Sequence, residues 1–103
     1  MSLTVLLHGE KLCEGTEPCR GPLHLLQVLL ERSRREGKGF AGLAVDDKWN
    51  GVLIVVRATG EGFDTSFYRV STGLVEEEIR GMKTLLQLWP HKELKIFISP
   101  LED

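Results

Sequence analysis

Apolar positions along the chain follow two different periods, and the switches between them mark the elements. Leu3 to His8 is a short apolar run closed by Gly9, the pattern of a first strand. Gly9–Gly21 then carries three glycines, Pro18 and several charges. That is loop chemistry, and its length marks it as a candidate binding loop. From Pro22 the period becomes helical. Leu23, Leu26, Leu29 and Leu30 recur at helical spacing, and Leu25 and Val28 widen the stripe. Gly21 is a tolerated cap, Pro22 suits the first helical position, Arg34 and Arg35 suit the last turn, and Gly37 suits the stop.

Phe40–Val45 reads as a second strand, followed by the turn Asp46-Asp47-Lys48-Trp49-Asn50-Gly51 with its Asn-Gly signal. Val52–Val56 is apolar at every position, which predicts a central strand buried on both faces. Gly60-Glu61-Gly62 ends it, and Phe63–Val70 alternates as a further, shorter strand. Ser71 or Thr72 then caps a predicted second helix, with Glu76, Glu77 and Glu78 in its first turns, where acids favour the positive end of the dipole. Its apolar stripe is Val75, Ile79, Met82, Leu86 and Trp89, an i, i+4 pair joins Glu76 to Arg80, and Pro90 stops it. Leu94–Ile98 is the last strand and Pro100 ends it.

The predicted order, β-α-β-β-(β)-α-β, is that of an α+β domain of the ferredoxin-like, split βαβ kind. It has a mostly antiparallel sheet with two helices on one face. A chain of 103 residues, 42% of them hydrophobic, suits one such domain over 1–103 and one core. With helices on one face only, the apolar Val52–Val56 strand asks for a cover on the other. Self-association through the open sheet face is the expected solution, making the protein a homo-oligomer.

Charge narrows the partners. Thirteen Lys and Arg against fifteen Asp and Glu leave a net charge of −2, which argues against a general nucleic-acid binder. No apolar run reaches the roughly 20 residues of a membrane span, and the N-terminus lacks a basic region and a small-residue cleavage site. A cytoplasmic setting is therefore expected.

Four constellations are candidates for chemistry. His8, Cys13, Cys19 and His24 offer two imidazoles and two thiols for tetrahedral zinc, but the H-x4-C-x5-C-x4-H spacing is not that of paired structural zinc motifs. An ordinary loop is the favoured reading, and a labile Cys13–Cys19 disulfide lies between the two. Asp46 and Asp47 with Glu76, Glu77 and Glu78 could hold a divalent metal in a ribonuclease H-like site, although Ser99 stands where that fold has a further acid. The bland reading is a turn start and a dipole-compensated helix. Ser33, Ser66, Ser71 and Ser99 lack a nucleophile motif, and His8, His24 and His91 point to no dyad. No Walker or dinucleotide fingerprint is present, and no motif calls for a cofactor. Anion binding is carried by Gly9-Glu10-Lys11 after a strand, Arg20-Gly21-Pro22 opening a helix, and Lys38-Gly39 before the next strand. Lys38 follows the helix that Arg20 precedes, so only a subunit interface would bring the two together.

His8-Gly9-Glu10-Lys11, Arg20-Gly21-Pro22-Leu23 and Gly39-Phe40-Ala41-Gly42-Leu43-Ala44-Val45 resemble the first half of the PII-like signalling proteins, over roughly residues 3–45. After the second strand the chain departs: Asp46–Asn50 is short, and the extra segment Gly60–Ser71 follows the next strand. The resemblance implies a trimer of ferredoxin-like subunits with sheets facing inward. It also implies small ligands, often nucleotides, in clefts between subunits, and loops that report ligand state to a protein partner. By position, Glu10, Lys11, Arg20 and Gly21 would flank such a cleft, with Lys38 and Gly39 contributing and no catalytic residue. The leading expectation is thus a PII-like, non-enzymatic sensor of a small anionic ligand. A protein–protein interaction module is the alternative, and a divalent-metal nuclease the third reading.

Overall fold

The computed structural model describes residues 10–12 by their backbone, and residues 20–90 and 94–101. They form strand β1 (Glu10–Leu12), helix α1 (Pro22–Glu36), strands β2 (Phe40–Val45), β3 (Gly51–Thr59), β4 (Gly62–Ser71) and β5 (Leu74–Glu78), helix α2 (Met82–Leu88) and strand β6 (Lys95–Pro100). The expected strand at Leu3–His8 lies outside the described residues. A three-residue strand is present at Glu10–Leu12, inside the stretch expected as loop.

All six strands join one antiparallel sheet in the order β1-β6-β2-β3-β4-β5. β1 and β2 both run opposite to β6, which lies between them, so β1–α1–β2 is a split βαβ unit. The remainder departs from the ferredoxin-like plan. There, the inserted strand is the third, joined directly to the second; here it is the last of the six. Two tight connections explain the difference. Thr59 pairs with Gly62 across Gly60-Glu61, and Ser71 pairs with Leu74 across Thr72-Gly73. Each two-residue turn sends the chain back along its neighbour, so β2 to β5 form a meander.

The two faces are packed differently. On one, Leu25 and Leu29 of α1 and Leu85 of α2, with Trp89 just past its end, meet Phe40, Ala44, Val52, Ile54, Val56, Ile96 and Ile98. Both helices therefore lie on this face, as expected. Leu25 and Leu29 are fully buried, and truncating either to Ala should cost about 2–5 kcal/mol. On the other face Ala41, Leu43, Val45, Leu53, Val55 and Val70 are buried, flanked by partly buried Trp49, Tyr68, Val75, Phe97 and Leu101. Val52–Val56 is buried on both faces within a single chain. That meets the demand which had pointed to self-association through the sheet.

The second helix needs the largest correction. Residues 74–78, expected as its first turns, form β5, and the helix spans only Met82–Leu88. Thr72-Gly73 is a hairpin turn with both residues at positive φ, not a helix cap. Arg69 of β4 then holds the glutamates in the strand, with Nη2 2.6 Å from Glu76 and Nε 3.4 Å from Glu77. Gly81, at φ 94°, separates this strand from the helix. The inward stripe is also displaced. Leu85 and Trp89 are buried, whereas Met82 and Leu86, assigned to the core by spacing, are 37% and 47% exposed. No helix among the described residues is long and apolar enough to cross a membrane.

Candidate functional site

α1 separates the predicted ligand-binding residues. Its fifteen residues span about 22 Å. Arg20 and Gly21 stand at its start, where Gly21 takes φ 154° and its carbonyl accepts from Leu25 N at 3.1 Å. Lys38 and Gly39 follow its far end, past Gly37 in the left-handed conformation. Within one chain these pairs cannot share a ligand. Lys38 has local partners: Glu36 at 3.9 Å and the Phe40 ring at 5.7 Å. Gly39 is set by packing, since a Cβ there would stand 2.6 Å from the Val56 carbonyl oxygen and 2.8 Å from Leu101 Cδ1. Glu10 and Lys11 lie in β1, at the register positions of Ile98 and Phe97.

The strand directions bring a different set together. Leu12 ends β1, Val45 ends β2, Ser71 ends β4 and Lys95 begins β6, all at one end of the sheet. α1 runs opposite to β2, to which it is joined through Gly37–Gly39, so its start lies at this same end. Arg20 and Gly21 therefore share an end with the β2–β3 turn, the β4–β5 turn and Lys95. This grouping has no local signature in the sequence, because it follows from the strand order.

The two turns are bound to each other. Trp49 N donates to the Asp46 carbonyl at 3.1 Å, while Asp46 Oδ1 accepts from Lys48 N and Asn50 N at 2.8 and 3.0 Å. Asn50 Oδ1 then accepts from Thr72 N at 2.8 Å, and Gly73 N donates to the Trp49 carbonyl at 2.9 Å. Trp49 (φ 63°) and Thr72 (φ 48°) are the positive-φ residues other than glycine among the described residues. For a tryptophan the left-handed region costs roughly 1–2 kcal/mol. Gly51 meets a different demand: a Cβ there would collide with the Ala44 carbonyl oxygen.

This geometry holds the Trp49 side chain over β6. Its ring stacks on Phe97, with centroids 5.7 Å apart and planes at 12°. Lys95 Nζ lies 5.4 Å from the Trp49 ring centroid. Trp49 and Lys95 are both partly buried, and no carboxylate pairs with Lys95 among the described residues. A cation over an aromatic ring, with Lys48 beside Trp49 in the same turn, is chemically suited to an anion, whereas Arg20 opens the helix on the other face of the sheet.

The other constellations do not assemble. His8, Cys13, Cys19 and His91 lie outside the described residues, and His24 stands partly exposed on α1. No group of three or more His, Cys, Asp and Glu gathers for a metal among the described residues. Asp46 is committed to its turn, and Glu76 and Glu77 pair with Arg69 on β5, so the ribonuclease H-like arrangement lacks its acid-bearing helix. None of Ser33, Ser66, Ser71 and Ser99 bonds a histidine among the described residues. Compared with family models, curated proteins and solved structures, the chain matches none. The PII-like resemblance therefore rests on its motif residues alone.

Proposed function

We propose that this chain is a non-enzymatic regulatory protein that senses a small anionic ligand, the role implied by its resemblance to PII-like proteins. The ligand binds at the Trp49 end of the sheet, and a cytoplasmic setting belongs to the same proposal. The observation that carries the reading is the partly buried Lys95 ammonium over the Trp49 ring, with Lys48 beside Trp49 in the same turn. Lys38 and Gly39, at the opposite end, take no part. Thermal melting with inorganic phosphate, pyrophosphate and nucleotides tests the idea. A ligand that binds only the folded chain stabilises it by about 2.7 kcal/mol at one hundred times its dissociation constant. The expected result is a saturable rise in melting temperature that Lys48→Ala and Lys95→Met reduce and Lys38→Ala leaves unchanged. No rise with any anion would sink the proposal.

A second reading, an interaction module without a small ligand, draws on the outer faces of the helices. Leu23 of α1 is 55% exposed, and Met82 and Leu86 stand outward on α2. Leu23 also borders a shallow groove of about 220 Å³ with Leu26, Gln27, Leu30, Glu31 and Arg34. Such outward apolar positions suit contact with another protein.

A further inference from the structure

We propose that two copies of this chain pair edge to edge along residues 63–67 of β4, a weak two-fold contact that joins their sheets into one. The surface is separate from the anion site and does not depend on it. Both faces of the sheet are closed within one chain, but this edge is open. β4 is longer than β5, which covers only residues 68–71 of it. Residues 63–67 pair with β3 on one side and with no described strand on the other. The direction of their main-chain groups is fixed twice. Thr59 and Gly62 flank a two-residue hairpin turn, where the flanking pair exchanges both hydrogen bonds. Counting in twos from there, Asp64 and Ser66 bond toward β3, while Phe63, Thr65 and Phe67 turn their N–H and C=O groups away from it. The Phe67 carbonyl confirms this direction, because it accepts from Ile79 N at 2.7 Å just past the end of β5. Beyond that bond, the N–H and C=O of Phe63 and Thr65 face no strand among the described residues, and Asp64 and Thr65 are exposed. Such a row of free groups is a template for another strand.

A second copy is the occupant because this edge complements itself. In an antiparallel pairing centred on Thr65, that threonine faces its own counterpart, Asp64 faces Ser66, and Phe63 faces Phe67. Aromatic pairs and threonine pairs are stabilising cross-strand neighbours, and no like charges stand opposite each other. Phe63 and Phe67 both lie on the helix-bearing face, so each aromatic pair forms on a single side of the joined sheet. The contact is isologous and stops at two copies. The other edges oppose the same pairing. β5 paired on itself about Glu76 would set Glu76 against Glu76, and β1 has only three residues. A ladder of five residues is far smaller than a standard interface. Its dissociation constant should be about 0.1–1 mM, which leaves the chain monomeric at micromolar concentration.

Sedimentation equilibrium of the full chain, up to about 2 mM, tests the pairing. The weight-average mass should rise from 11.6 kDa toward twice that value. Thr65→Lys and Thr65→Glu each place like charges at the two-fold axis, at an exposed position, and each should weaken association at least about tenfold. An equimolar mixture of the two should recover it, because opposite charges then face one another. Ser66→Asp, which sets two acids against each other at Asp64, should weaken it as well. Leu86→Glu, on the exposed side of α2, should leave it unchanged. Circular dichroism and melting check that each variant keeps its fold. A wild-type chain that stays at 11.6 kDa throughout would overturn the proposal. So would association that survives both Thr65 changes, that the mixture fails to restore, or that Leu86→Glu abolishes.

Discussion

Ser33 is fully buried on the sheet-facing side of α1, and its hydroxyl has no hydrogen-bond partner among the described residues. An unsatisfied buried hydroxyl costs about 1–3 kcal/mol, and serine is also a poorer helix former than alanine. Ser33→Ala should therefore stabilise the chain by about 1 kcal/mol or more, read as a higher urea midpoint at unchanged m-value. Thr72 gives a second local test. It sits at the first position of a two-residue turn whose residues both need positive φ, and Asn-Gly is the preferred pair there. Thr72→Asn should add about 0.5–1 kcal/mol without altering the fold, because the backbone N–H that meets Asn50 Oδ1 is retained. Loss of stability on this change would mean that the threonine side chain has a role beyond the turn. Residues of this kind are hard to read in a sequence. An αL tryptophan or a serine facing the sheet looks the same in one dimension as any other, and only the neighbours show the conflict.

Among the elements, α1 and the β2–β3 hairpin were legible because several local signals agreed. Pro22 starts the helix, Gly37 stops it, and helical spacing gives way to short continuous apolar runs flanking a turn. The segment from Ser71 to Trp89 misled because Val75, Ile79, Met82, Leu86 and Trp89 happen to satisfy a helical spacing across a real break. Two signals against it were present, Thr72-Gly73 as a hairpin pair and Gly81 within the supposed helix. Glu76 and Glu77, which look like dipole compensation, instead pair with Arg69 across the sheet. A pair of substitutions separates the two patterns. Leu85→Ala should cost about 2–5 kcal/mol, and Leu86→Ala should change stability by less than about 0.5 kcal/mol. Equal losses at the two positions would mean that the helix presents a different face to the sheet.

At the scale of the whole molecule, strand order decides which residues can work together. Arg20 and Lys38 were expected to meet only across a subunit interface, and the fifteen-residue α1 between them, about 22 Å long, keeps them apart within one chain. Lys95, near the far end of the chain, comes to the end of the sheet where α1 begins because β6 inserts between β1 and β2. Such a grouping depends on topology and had no local signature. The oligomer expectation changes for the same reason. Both faces of β3 are buried in one chain, so a monomer at micromolar concentration in light scattering accords with this packing. A trimer that dissociates when Leu43 or Leu53 is made polar would contradict it.

The location of the ligand at the Trp49 end is the claim on which the rest turns, and backbone and indole amide shifts on titration with a purine nucleoside monophosphate test it directly. Saturable shifts should centre on the Trp49 indole, Lys48, Gly51, Thr72, Gly73 and Lys95, with Gly37, Lys38 and Gly39 unmoved. Shifts centred on residues 37–39, or none that saturate, would contradict the account.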